Sequence, residues 1–125
     1  MRTERLTAIV LVNPAIANLM DLIRGLLQVN GVWFHYSQKA SVTAERLKAA
    51  HPDEVAIDPL LLCYIQGEMP LIRVFYEGEE TLQKACAKIN KQFELVIPLI
   101  QVGQHAFQPK ALQIIPAEHV AAFGL

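Results

Sequence analysis

An apolar run near the amino terminus constrains the fold of this chain more than any other feature. Leu6–Val12 contains a single polar residue, Thr7, and such a run is typical of a strand that is buried on both faces. Asn13-Pro14 follows at once. Asparagine caps helix amino termini well, and proline suits the first helical position. The sequence therefore predicts a buried strand that leads directly into a helix.

Apolar periodicity predicts two long helices and three further strands. Apolar residues recur at three- and four-residue steps around 18–28 and 79–89, which is the pattern of an amphipathic helix. Asn30-Gly31 marks the end of the first helix, because both residues tolerate a left-handed backbone. The strand patterns cover residues 32–38, 69–76 and 93–102. Pro98 interrupts the last of them, so part of that strand should lie on an edge or carry a bulge.

Two stretches have less decided patterns. Between the second and third strands, Ser41 and Thr43 predict the cap of a short helix, whereas 58–66 fits either a buried helical turn or a strand. Near the end of the chain, 112–115 has the pattern of a short last strand, and Pro116 opens a terminal helical turn.

The order of these elements predicts an α+β fold. Two long helices on one face of a four-stranded antiparallel sheet form the ferredoxin-like βαββαβ arrangement. The small helices then form an extra helical segment between strands 2 and 3. A length of 125 residues corresponds to one domain. Residues 1–125 are therefore predicted to form a single ferredoxin-like domain.

Composition limits the classes of partner. Eleven basic and 12 acidic side chains give a net charge of −1, which argues against a basic surface for nucleic acid. No apolar run reaches the roughly 18 residues that a membrane helix requires. Cys63 and Cys86 lie far apart in apolar segments, without the Cys and His spacing of a zinc site. We therefore expect a cytoplasmic protein with reduced thiols, no metal, no cofactor, and no nucleic-acid or membrane partner.

Candidate binding residues come from a polar loop and from one isolated charge. Gln101–Lys110 follows an apolar strand and combines a histidine, a lysine and several amides, so it is the first candidate functional loop. Arg73 is a charge within an otherwise apolar strand. On an open sheet face it would be solvated, but in a cleft or interface it would need a carboxylate such as Glu77 or an anionic ligand. The predicted ligand-binding residues are Arg73, Gln104, His105, Gln108 and Lys110.

Several short motifs resemble nucleoside diphosphate kinases over residues 5–111. Pro70–Gly78 is similar to that family's proline, apolar strand and Glu-Gly in the same register. Leu6–Pro14 resembles the family's first strand with the Lys-Pro-Asp motif, and Asn30-Gly31 resembles the end of its first helix. Ser41–Gln66 resembles its helical hairpin, and Ile100–Gly103 resembles the segment that leads to its catalytic histidine. The resemblance implies a ferredoxin-like topology.

The residues that carry the chemistry of that family differ in this chain. Asn13 stands where the family has a lysine, and Gln108 stands at the phosphorylated histidine within the segment His105–Ala111. Glutamine forms no phosphoramidate, so phosphotransfer by the family's route is not expected. The loop that wraps the nucleotide is shortened to Asn90–Gln92. The resemblance therefore implies the fold without the kinase activity.

Two functions stay open from the sequence. The first is a non-catalytic ferredoxin-like module that oligomerises and binds a small ligand or a partner protein. The alternative is a nucleotide-handling or phosphotransfer enzyme with a relocated site near His105 and Lys110. The first is favoured because helices on one face would leave the other face of an apolar domain for a second copy to cover. The expected interface residues include Trp33, Tyr36, Arg73, Phe75 and Leu99.

Overall fold

The computed structural model of the chain describes residues 6–34, 40–50, 58–65 and 67–123. The strands in these ranges are β1 (Leu6–Val12), β2 (Ala40–Thr43), β3 (Glu68–Tyr76), β4 (Ile100–Val102), β5 (His105–Phe107) and β6 (Leu112–Ile115). The α-helices are α1 (Met20–Val29), α2 (Ala44–Ala50), α3 (Pro59–Tyr64) and α4 (Glu79–Phe93), and two 3-10 helices cover Pro14–Leu19 and Ala117–Phe123. The predicted α+β class is confirmed.

Four of the strands form one antiparallel sheet in the order β2-β3-β1-β6. β1 pairs with β3 on one side and with β6 on the other, while β2 pairs with β3. Every side chain from Ala8 to Val12 is completely buried. The uninterrupted apolar run therefore forms a strand in the interior of the sheet, as predicted.

The two long helices lie on the same face of the sheet. α1 and α4 contact each other, and their buried residues share one core with Ala8 and Val10 of β1 and Ile72 and Val74 of β3. This arrangement confirms the prediction that both apolar stripes need one shared surface. The buried residues that the helices contribute are Met20, Ile23, Leu27, Leu82, Ala85, Cys86, Ile89 and Phe93.

The expectation that helices cover only one face is wrong. A second core forms on the opposite face, where Ile9 and Leu11 pack with Leu47 of α2, Leu61 of α3 and Phe123 of the terminal 3-10 helix. The extra segment between β2 and β3 is apolar enough to fold over the sheet. The chain therefore buries much of this face by itself, and the original reason to expect a second copy there does not hold.

Two of the predicted strands are placed differently in the structure. In the 32–38 segment, Trp33 forms one isolated bridge with Phe75, residues 35–38 lie outside the described ranges, and β2 begins at Ala40. The fourth strand of the sheet is β6 rather than 93–102, because α4 continues to Phe93 and turns follow it. Pro98 donates no backbone hydrogen bond, which favours a break at this point.

Local caps explain where the short helices begin. The Thr43 hydroxyl accepts a hydrogen bond from the amide of Arg46 at 3.2 Å, which confirms Thr43 as a cap of α2. Ser41, the other predicted cap residue, lies in β2 and donates to the Glu68 carboxylate at 3.1 Å. The Asp58 carboxylate accepts from the amide of Leu60 at 2.9 Å, and Pro59 occupies the first helical position. The 58–66 segment, which the sequence left open, is therefore helical over Pro59–Tyr64. In the described ranges, no helix has the length and apolar character to cross a bilayer.

Candidate functional site

The structure divides the predicted ligand-binding residues between two regions. Arg73 lies in β3, in the middle of the sheet. Gln104, His105, Gln108 and Lys110 lie on the β4–β5 hairpin or just after it. The five residues therefore do not form one site.

The hairpin is a two-stranded ribbon outside the main sheet. β4 pairs only with β5 among the described strands, with Val102 opposite His105. Gly103-Gln104 is the two-residue turn between them, and Gly103 has a φ of 63°. A left-handed first turn residue is typical of type II′ hairpins, which favour glycine there. We refer to residues 95–107, which comprise the turns after α4 and the hairpin, as the arm.

The arm exposes apolar side chains and carries no Asp, Glu, Lys or Arg. The side chain of Leu95 is 98% exposed and that of Leu99 is 65% exposed, and Val96 and Val102 are also exposed. Between Glu94 and Lys110 the chain has no such ionised residue. Solvated surfaces normally intersperse charges of both signs. An exposed segment of this length without them is therefore a candidate interaction surface.

Gln108 holds the base of the arm. Its side-chain Nε2 donates to the backbone carbonyls of Glu94 at 2.5 Å and of Ile97 at 2.6 Å. Ile97, Ile100 and Pro109 are buried beside it. The amide predicted to bind a ligand therefore joins the end of α4 to the exit of the hairpin, and its donor group already has partners within the chain.

The remaining polar residues of the loop do not form a catalytic cluster. Gln104 and His105 are exposed at the tip of the arm. Among the described residues, the His105 side chain has no hydrogen bond or ion pair, and none joins it to Lys110. The part of Lys110 that takes part in a hydrogen bond is its backbone carbonyl. Within the described ranges, no side chain therefore orients or activates His105 by a hydrogen bond or an ion pair.

Asn13 joins β1, the first 3-10 helix and the two residues that precede β6. Its side chain is only 1% exposed. The carbonyl oxygen accepts from the amide of Ala15 at 2.9 Å, and Nδ2 donates to the carbonyl of Lys110 at 3.2 Å. Its own backbone amide donates to Ala111 at 2.9 Å. At the position where the resemblance would place a catalytic lysine, this chain has a capping and bridging asparagine.

Asn90 is a structural residue that the sequence reasoning missed. Its side chain accepts from the amide of Leu112 at 2.7 Å and donates to the carbonyl of the same residue at 3.3 Å. The side-chain amide thus occupies the outer edge of β6 as the peptide of another strand would. The only signal in the sequence is a polar residue directly after Ile89, which gives no hint of its partner.

An open cleft of about 350 Å³ lies between α4 and β6. Its lining residues are Glu79, Gln83, Cys86, Ala87, Asn90, Lys110, Leu112, Gln113, Ile114 and Pro116. Cys86 is buried, and burial raises the pKa of its thiol to about 12, so it is not a nucleophile at neutral pH. In the described part of the chain, no three His, Cys, Asp or Glu residues are grouped as a metal site would require.

Comparison with protein-family models, with curated proteins and with solved structures finds no match. The resemblance to nucleoside diphosphate kinases therefore depends on the short motifs alone. The described surface has two unusual features, namely the uncharged apolar arm and the Arg73 guanidinium, which has no ion pair among the described residues.

Proposed function

We propose that this chain is a non-catalytic ferredoxin-like module that self-associates through the arm. The ferredoxin-like assignment is supported by the sheet order β2-β3-β1-β6, in which all neighbours are antiparallel. The contact between α1 and α4 on one face supports it as well. In this assignment β6 is the fourth strand, and the arm is an insertion between α4 and that strand.

The arm is the observation that carries the proposal. An isolated two-stranded ribbon is marginally stable in water. Among the described residues, Gln108 and buried apolar side chains fix this one at its base. Its distal residues, Gln101 to Ala106, are all exposed. Pairing with another protein surface would bury its apolar side chains and provide partners for its outer backbone groups.

The exposed area is of the size that an interface needs. The exposed leucines and valines of the arm, Leu95, Val96, Leu99 and Val102, each offer on the order of 100 Å² of apolar surface. Together they supply about half of the roughly 800 Å² that each partner buries in a standard interface. Adjoining residues of the arm would provide the rest.

A second copy of the chain is the partner that best fits the arm. With no Asp, Glu, Lys or Arg between Glu94 and Lys110, two arms meet without like-charge repulsion. Twofold pairing of identical surfaces is also the commonest form of assembly. Leu99, one of the residues expected at an interface, lies in the arm, whereas Trp33, Arg73 and Phe75 lie in or beside β3. Tyr36 lies outside the described residues.

The alternative, a phosphotransfer enzyme with a site near His105, has less support. The imidazole is exposed and has no side-chain partner among the described residues. Gln108, at the position of the phosphorylated histidine, donates to two backbone carbonyls. Neither residue has the oriented base or the electrostatic surroundings that nucleophilic catalysis requires.

Light scattering after size exclusion tests the proposal with one substitution and one matched control. The test variant is Leu95→Asp, because this side chain is almost fully exposed and its replacement disturbs no core contact. The control is Val29→Asp, at an apolar position that is 77% exposed at the end of α1. Both variants introduce one carboxylate on the surface, but only the first does so in the arm.

We expect the wild type and Val29→Asp to give a mass near 28 kDa, twice the 14.0 kDa of one chain. Leu95→Asp should shift toward the monomer. Loss of one buried leucine from each copy removes about 3–6 kcal/mol per dimer, equivalent to at least a hundredfold weaker association. Equal masses for the two variants would show that the arm does not form the interface.

A further inference from the structure

We infer that Arg73 anchors a binding site for an oxyanion carried on an apolar or aromatic body, on the part of the second sheet face to which the described short helices contribute no core residues. The site is separate from the arm, and the inference does not depend on self-association.

Arg73 points to the second face of the sheet. Its cross-strand neighbour in β1 is Ile9, which belongs to the second core together with Leu71, two residues before Arg73 in β3. Paired residues and residues two apart in a strand share a face. Arg73 therefore follows the apolar row of this face, at the point where the core residues supplied by α2, α3 and the terminal 3-10 helix end.

The guanidinium is partly desolvated and has no counterion in the described structure. Its Nε atom is buried without a hydrogen-bond partner. Glu77, the carboxylate that the sequence offered as a partner, is exposed. The ion pairs found in the described residues join Arg24 to Asp21, Lys84 to Glu80 and His119 to Glu118. A buried donor on a charged group is unfavourable unless an acceptor reaches it.

The neighbours of Arg73 favour a ligand with an apolar or aromatic body. Phe75 lies two residues further along β3 on the same face, and Trp33 forms its bridge to Phe75 from the other side. Thr7, opposite Phe75 in β1, adds a hydroxyl. Diagonal neighbours in a sheet are within reach of long and aromatic side chains. Arg73 can thus face an oxyanion while the aromatic rings and the methyl group of Thr7 surround the body attached to it.

A carboxylate or a phosphate matches the guanidinium best. Its planar donor fork forms two parallel hydrogen bonds with either anion. The shared chemistry is therefore a terminal oxyanion, and the choice between the two anions is a matter for measurement. A cation would be repelled by the guanidinium, and a neutral hydroxyl would accept a hydrogen bond without neutralising its charge or matching its fork.

Trp33 provides a direct readout, because it is the only tryptophan in the chain. We propose to titrate the protein with benzoate, phenyl phosphate and the neutral benzyl alcohol, and to follow tryptophan emission. The variants are Arg73→Met, which keeps the aliphatic length, and Arg73→Lys, which keeps the charge but not the fork. Arg46→Met is the matched control, since Arg46 is an exposed arginine on α2.

Saturable changes in emission are expected with at least one anion for the wild type and for Arg46→Met, and none with benzyl alcohol. Arg73→Met should bind at least tenfold more weakly, and Arg73→Lys should lie between the two. The stronger of the two anions identifies the preferred class. An equal response to benzyl alcohol, an equal affinity in Arg73→Met, or no saturable response in the wild type would overturn the inference.

Two controls keep the result interpretable. If Arg73→Met does not fold, the comparison of anions with benzyl alcohol in the wild type and in Arg73→Lys still decides the question. Repeating the titration with Leu95→Asp separates this site from the arm. The same affinity in that variant is expected whether or not the arm mediates self-association, and lost binding there would place the site elsewhere.

Discussion

Replacing Asn13 with alanine should destabilise the fold strongly for so small a change. The substitution removes the acceptor for the amide of Ala15 and the donor to the carbonyl of Lys110, at a position that is almost completely buried. Loss of a helix cap costs about 1 kcal/mol, and a buried carbonyl without a donor costs about 1–2 kcal/mol more. We therefore expect the free energy of unfolding to fall by about 2–3 kcal/mol.

Urea denaturation, followed by the fluorescence of Trp33, measures this difference. Asn18→Ala is the matched control, because Asn18 lies in the same 3-10 helix but is exposed, and surface substitutions usually change stability by less than about 0.5 kcal/mol. A loss for Asn13→Ala that is no larger than the loss for Asn18→Ala would contradict the bridging role of Asn13. A thermal midpoint lowered by about 6–15 °C would accompany the expected result.

Further predictions concern the two thiols, the arm and the absence of kinase activity. Iodoacetamide at pH 8 should modify the exposed Cys63 quickly and leave the buried Cys86 intact until the protein unfolds, as peptide mass analysis would reveal. Because the folded Cys86 thiol has a pKa of about 12 and an unfolded thiol has a pKa near 9, its contribution to stability is complete below pH 9 and declines as the pH rises toward 12. Gly103→Ala should weaken self-association in light scattering, because a left-handed φ of 63° strains alanine in the hairpin turn. Far-UV circular dichroism should stay nearly unchanged. Unchanged association would argue against a role for the hairpin geometry. A coupled assay with ATP and a nucleoside diphosphate should give no turnover. Activity that disappears in His105→Ala would instead favour the phosphotransfer alternative.

Local patterns in the sequence were sufficient to predict the elements whose own residues favour one secondary structure. The strand Leu6–Val12 is continuous and apolar, and it is buried in the middle of the sheet. The strand predicted over 69–76 is flanked by clear turn residues, and β3 covers Glu68–Tyr76. The cap at Thr43 was also evident, because a hydroxyl directly before a helical pattern favours a hydrogen bond to the first free amides of the helix.

The fourth strand of the sheet could not be predicted from local patterns, because two segments compete for the same edge of β1. The segment 93–102 is longer than Leu112–Ile115 and similarly apolar, yet only the second pairs with β1. Continuation of α4 to Phe93 and the break at Pro98 direct the first segment away from the sheet. Coverage of the second face was missed for a similar reason, since the helix Pro59–Tyr64 packs against β1 and β3 through residues distant in sequence.

The residues of the candidate sites could be predicted from the sequence, but their hydrogen-bond partners could not. The 101–110 segment was recognised as unusual, but a sequence does not reveal that Gln108 would reach the carbonyls of Glu94 and Ile97. Asn90 was missed because its partner, Leu112, is 22 residues away. Arg73 could be identified in advance because one charge in an apolar strand conflicts with burial whatever the fold.

Sedimentation equilibrium of the unmodified chain tests the central claim of self-association most directly. The measurement covers low to high micromolar concentrations at neutral pH, where the arm between Glu94 and Lys110 bears no Asp, Glu, Lys or Arg charge. A mass that rises with concentration from 14.0 kDa toward twice that value is the predicted result. A mass that remains at 14.0 kDa throughout the range would contradict the account.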